Sequence, residues 1–261
     1  MKTWIPDSRN FAYLNWKQVD ALPRASTLLV LPTAAIEQHG HHLPLATDTL
    51  INNLLLGRAL GKLPAAASVY ALPPVCYGKS NEHIGFPGTL SVSSTTFMAV
   101  LRDIGASLAA AKFERVALYN THGGNTALID VMARDLRAEF KLRTFTLHGS
   151  AGTQFEGLSA QERAYGFHAG EVETAFLLAS VPELVDRNAY TMNYIADVQE
   201  PGMLLPENAP ATFAWLTRDI AESGVMGDPR PATAENGERW IEQAATRLAA
   251  ALEAILRFPN P

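Results

Sequence analysis

Two kinds of apolar pattern alternate along the chain as far as Leu147. Thr27–Leu31, Ser68–Leu72, Arg115–Tyr119 and Arg143–Leu147 are short blocks rich in β-branched or aromatic residues. Such runs suit strands covered on both faces. Between them, apolar residues recur at helical spacing: Leu50, Leu54, Leu55 and Ala59; Phe97, Leu101, Ile104 and Leu108; Leu128, Val131, Met132 and Leu136. Thr47 or Asp48 is placed to cap the first of these helices, and Ser93 or Ser94 the second. Strand–helix–strand alternation implies right-handed crossovers, hence an α/β fold with a mostly parallel sheet and helices on both sides.

Beyond Leu147 the strand signal fades. A short helix is expected around Ser159–Ala164, and another over Glu171–Leu178 that ends before Pro182. The tail from Ala232 to Leu256 reads as a long amphipathic helix with Trp240, Ala244, Leu248, Ala251 and Ile255 on one face. Residues 197–211 carry three prolines and no clean period, and are a candidate subunit interface. No repeat or linker divides residues 1–261, so one domain is expected.

Composition narrows the class. A hydrophobic share of 48% excludes a disordered chain. With 21 Lys+Arg against 26 Asp+Glu and no basic cluster, a nucleic-acid partner is not expected. Nor is a membrane partner, because no uncharged apolar stretch approaches the length of a span. One cysteine makes no internal disulfide, which together with an N-terminus lacking signal-peptide character points to the cytoplasm.

The chemistry collects just past predicted strands. After the first comes Glu37-Gln38-His39-Gly40-His41-His42, with Asp48 at the start of the next helix. Glu37 and His39 are two apart, so in extended chain they project from the same side. The third strand leads into Asn120-Thr121-His122-Gly123-Gly124-Asn125. Ligands in open α/β sheets gather beyond the carboxyl ends of strands, so both segments can share one crevice. Singly, Asp48 reads as a cap and each histidine as a hydrogen-bonded structural residue. Jointly, Glu37, His39, Asp48 and His122 form a mixed N/O donor set suited to Zn²⁺, Mn²⁺ or Fe²⁺, and the Asp48 carboxylate can bridge two ions. Phe167-His168-Ala169-Gly170-Glu171-Val172-Glu173 adds one imidazole and two carboxylates. His168 and Glu171 share a face only if the helix includes both, so spacing leaves Glu171 and Glu173 open.

These runs resemble the creatininase (creatinine amidohydrolase) family: Glu37-Gln38-His39-Gly40-x-His42-Leu43-Pro44-Leu45-x-Thr47-Asp48-Thr49, Asn120-x-His122-Gly123-Gly124-Asn125, His168-Ala169-Gly170-x-x-Glu173-Thr174 and Gly224-Val225-x-Gly227-Asp228-Pro229. Tyr77-Gly78-x-Ser80 and Gly85-x-Pro87-Gly88-Thr89 add to the match, which spans roughly residues 14–250. The resemblance implies a three-layer α/β/α sandwich, two divalent ions per subunit, hydrolysis of a C–N bond in a small-molecule amide, and a homo-oligomer, often a hexamer. It implies that Glu37, Asp48 and His122 hold one ion and that His39 and Asp48 hold the other. In creatininase itself a Glu two residues after the strand-end His completes the second site. Here that position is Gly124, and Glu173 is expected to supply the carboxylate instead. His168 is the candidate for proton transfer to the leaving amine, with support of a ligand as its alternative role. Ser80 is a candidate substrate contact. The segment 149–167 has no Trp, unlike the creatinine-hydrolysing enzyme, and Phe155, Tyr165 and Phe167 are candidates for an apolar wall of different shape. The family also contains deformylases and a peptidase that trims a cofactor precursor, which makes these the alternative activities. A non-catalytic metal-binding assembly protein is the alternative from another class.

Overall fold

The computed structural model describes residues 2–150, 152–195, 203–205 and 210–259. Four strands, β1 (Leu28–Thr33), β2 (Val69–Ala71), β3 (Arg115–Asn120) and β4 (Arg143–His148), form one sheet in the order β2-β1-β3-β4. All of its pairings are parallel. The helices are α1 (Trp16–Asp20), α2 (Thr47–Lys62), α3 (Ser94–Ala110), α4 (Thr126–Phe140), α5 (Ala160–Tyr165), α6 (Glu171–Ser180), α7 (Thr217–Ile220) and α8 (Ala234–Arg257). A separate short pair, β5 (Leu204–Leu205) and β6 (Ala211–Thr212), lies outside the sheet.

Alternation along β1 divides the interior. Leu28 and Val30 face a core shared with α2, α6 and α8, centred on Leu54, Leu55, Phe176 and Trp240. Leu29 and Leu31 face the other core, built with Phe97 and Leu101 of α3 and Ile129, Met132 and Leu136 of α4. Successive side chains of a strand point to opposite faces, so a strand buried throughout needs helices on both sides. The three-layer α/β/α sandwich follows.

Local signals act as expected in some places and not in others. Ser93 caps α3 by accepting from Thr96 N at 3.1 Å. Neither Thr47 nor Asp48 caps α2: Ala46 precedes that helix, and the Thr47 hydroxyl donates back to Pro44 O at 2.7 Å. Asp48 is thereby left free for another use. On α8 the buried face holds Trp240, Ala244, Leu248 and Ile255, with Leu252 rather than the half-buried Ala251 completing it. The proposed interface at 197–211 falls mostly outside the described residues. Among the described residues, no helix is long and apolar enough to cross a membrane.

The sheet register sets the site. Thr33 and Asn120, the last residues of β1 and β3, are direct partners. The segments that follow, 34–48 and 121–125, therefore leave the sheet side by side.

Candidate metal centre

Glu37, His39, Asp48 and His122 meet beyond the ends of β1 and β3, and each is at most 4% exposed. Asn120 holds the turn after β3, its Nδ2 donating to His122 O at 2.7 Å. Asp48, in the first turn of α2, divides its carboxylate: Oδ1 lies 3.3 Å from His39 Nε2, and Oδ2 lies 3.1 Å from His122 Nδ1. Glu37 Oε2 is 3.3 Å from the same His122 nitrogen, and Glu173 Oε2 is 3.9 Å from His39 Nε2. Ligand bonds of about 2.0–2.2 Å around a tetrahedral cation separate neighbouring donor atoms by roughly 3.3–3.6 Å. The spacing here is of that order.

Each imidazole is oriented by a backbone carbonyl. His122 Nε2 donates to Lys79 O at 2.9 Å, His39 Nδ1 to Glu37 O at 3.2 Å, and His168 Nε2 to Gln38 O at 2.8 Å. A carbonyl only accepts, so each bond fixes the proton on the outer nitrogen and turns the other nitrogen's lone pair inward. Those lone pairs face carboxylates, an arrangement that calls for a cation or a proton between them. His39 Nε2 and Asp48 Oδ2 are buried and have no hydrogen-bond partner among the described residues. The donor set thus fits divalent ions, and the carbonyl anchors are the outer bonds that ligating histidines use.

Electrostatics agree. Burial opposes charge on His39, but the adjoining Asp48 carboxylate pushes its pKa up to about 9. Burial likewise opposes charge on His122, and Glu37 and Asp48 outweigh it, holding the ring well above its ordinary value. Asp48 is held well below the usual carboxylate range by His122 and His39 despite its burial. His168 goes the other way: burial, then the neighbouring His39 and His83, push it well below its ordinary value.

Gly170 immediately precedes α6, so His168 lies outside the helix and does not share a helical face with Glu171. Glu173 is the carboxylate that reaches the cluster, held by Ala169 N at 2.6 Å, and Glu171 is not part of it. His168 Nδ1 lies 3.8 Å from Glu37 Oε1, and its ring packs against His39 and His83 with centroids 4.2 and 4.3 Å away. Ser80, expected to touch substrate, is fully buried and donates its hydroxyl to Glu37 Oε2.

Four participants carried no assigned role in the sequence. His83 faces Glu37 Oε1 at 3.4 Å, and its Nδ1 lies 2.8 Å from both the Gln38 amide nitrogen and the Thr217 hydroxyl. Gln38 donates its buried amide to His83 Nδ1 at 2.8 Å and to Gly224 O at 3.0 Å, and the same nitrogen lies 3.0 Å from His168 Nε2. Glu82 Oε1 stands 3.4 Å from His122 Nε2. Trp215, from a distant segment, meets His83 and Phe167 edge-on. Gln38 stands inside the Glu37-Gln38-His39 run, and Glu82 and His83 precede Gly85-x-Pro87-Gly88, whereas Trp215 offered no sequence signal.

A cavity of about 310 Å³ opens beside His168 and Glu173. Phe155, Leu158, Phe167 and Val172 form its apolar wall, and Ser150, Thr153 and Arg163 supply polar groups. Tyr165 does not line it.

A family model described as creatinine amidohydrolase matches residues 12–252. The chain belongs to the creatininase family. Membership makes it a metal-dependent hydrolase of the amidohydrolase type. It is 34% identical over 238 residues to the mycofactocin precursor peptide peptidase of Mycobacterium ulcerans (strain Agy99), with 87% of each chain covered. Against the creatinine amidohydrolase of Pseudomonas putida it is 28% identical over 265 residues, covering 92% of this chain and 94% of that one. A solved mutant creatininase complexed with creatine superposes with a TM-score of 0.77 at 26% identity, over 97% of this chain and 99% of that one.

Proposed function

We propose that the chain hydrolyses an amide C–N bond at a binuclear centre bridged by Asp48. Glu37, Asp48 and His122 would hold one divalent ion, and His39, Asp48 and Glu173 the other, with Zn²⁺, Mn²⁺ and Fe²⁺ all suited to these donors. The observation that carries this reading is the Asp48 carboxylate, which turns one oxygen to each of two carbonyl-anchored imidazoles. When bound, such ions polarise a scissile carbonyl and bring the pKa of water to about 7.

The protein's own groups do the rest. His168 keeps an inward lone pair on Nδ1, and burial holds it neutral until it takes up a proton. It is the group assigned to collect a proton from the attacking water and deliver it to the departing amine nitrogen. The Gln38 carbonyl at its other nitrogen steadies the imidazolium that forms. Ser80 and His83 are assigned to orienting Glu37, and the apolar wall of the cavity to excluding water from the reacting bond. The single cysteine suits a cytoplasmic setting, and a homo-oligomer, hexameric as the family resemblance implies, is proposed with it.

The proposed substrate is a small-molecule amide. A second reading, a peptide-derived substrate, is favoured by the 34% identity to a precursor-peptide peptidase against 28% to the creatinine enzyme. A cavity of about 310 Å³ with one apolar wall accommodates a side chain. The test is hydrolysis of cyclic amides, formyl amides and short peptides by chelator-stripped protein with and without added ions. Metal-dependent cleavage in one of these classes is expected. Two bound ions with no cleavage of any would instead support an assembly protein.

A further inference from the structure

His168 and Glu173 belong to segments outside the sheet, and something other than the β-ladder must place them. His168 pairs in antiparallel fashion with Met226, its N–H reaching Met226 O at 3.1 Å and its carbonyl accepting from Met226 N at 2.9 Å. The segments that follow these two residues meet at one buried carboxylate, that of Glu162 on α5, which is 3% exposed. Its Oε1 accepts from Glu171 N at 2.8 Å; its Oε2 accepts from Asp228 N at 2.9 Å and from the Tyr194 hydroxyl at 2.7 Å.

The surroundings are shaped to admit it. A Cβ at Gly166, Gly170 or Gly227 would fall 2.3, 2.1 or 2.8 Å from an atom of this carboxyl group. Gly170 has no side chain with which to cap α6, and Glu162 performs that task from another helix, placing negative charge at the α6 N-terminus where the helix dipole favours it.

We infer that Glu162 is a positioning residue for the His39 half of the centre, an assignment that rests on the binuclear reading. It fastens the first turn of α6 to the turn at 224–228, and thereby sets where Glu173 and His168 stand. Removing one acceptor oxygen leaves a buried N–H unpaired and loosens both segments together.

Titration of the chelator-stripped full chain with Mn²⁺, alongside amide hydrogen exchange, tests this in Glu162→Gln and Tyr194→Phe. In Glu162→Gln, binding at one of the two ion sites weakens by roughly 10–100-fold while the other is unchanged. Faster exchange is confined to 166–174 and 224–228. Tyr194→Phe gives a smaller change at the same site and in the same segments, and carries the test if Glu162→Gln does not fold. Equal weakening of both sites, exchange rising in β1 and β3 as well, or no change would overturn the assignment. Should the unaltered chain bind fewer than two ions, the binuclear reading fails separately, and the exchange pattern still decides whether Glu162 fastens the two segments.

Discussion

A Cβ at Gly124 would lie 2.3 Å from Oε1 of Glu82, so any side chain at 124 must displace that carboxylate. The same Cβ would fall 2.4 Å from Lys79 O and 2.6 Å from His122 Nε2, the pair whose hydrogen bond sets the His122 ring. Position 124, where the family resemblance implies a ligand Glu, is closed here by Lys79 and Glu82. Gly124→Ala is therefore expected to displace His122 and cost 10–100-fold or so in metal affinity, and Gly124→Glu is expected to lower affinity rather than restore a ligand. Metal content after dialysis checks both.

His168 has its outer nitrogen on a carbonyl and its inner one toward Glu37. As the proton carrier, it should lower turnover by roughly 10²–10⁴-fold when replaced by alanine, with both ions retained. Parallel measurement of kcat and metal content decides. Loss of an ion together with activity would place the ring in the coordination shell.

Glu173 and Glu171 provide a paired comparison. Glu173→Ala should leave one ion per subunit after dialysis, because it removes the carboxylate beside His39. Glu171→Ala should leave two, since its side chain stands outside the cluster. Elemental analysis of both variants checks the assignment.

Protons and ions compete for the inner lone pairs. In the metal-free chain burial opposes charge on His39, but Asp48 outweighs it and pushes the pKa up to about 9. A raised histidine stabilises the fold fully below about 6.5, and that contribution is lost as pH rises through the folded value. Metal-free protein should therefore lose stability between about pH 6.5 and 9, while ion affinity climbs over the same window because fewer protons must leave. Denaturation and titration at three pH values check both slopes. An affinity independent of pH would exclude His39 as a ligand.

The sheet was legible because β1 and β3 are continuous apolar blocks whose length alone separates them from helices. Glu37, His39, Asp48 and His122 were legible because they follow strand ends, and parallel register carries those ends to one place. His83 and Trp215 were not. They sit on irregular segments, 77–90 and 213–227, whose approach depends on packing between loops and leaves no period to read. The choice of Glu173 over Glu171 turned on whether α6 begins before or after Gly170. Glycine permits either, and the capping carboxylate that settles it comes from Glu162, on another helix.

The most direct measurement of the central claim is anomalous diffraction from crystals grown with Mn²⁺ and with Zn²⁺. Two peaks about 3.5–4 Å apart, one on each side of the Asp48 carboxylate, are the expected result. A single peak, or two that leave Asp48 unbound, would contradict it.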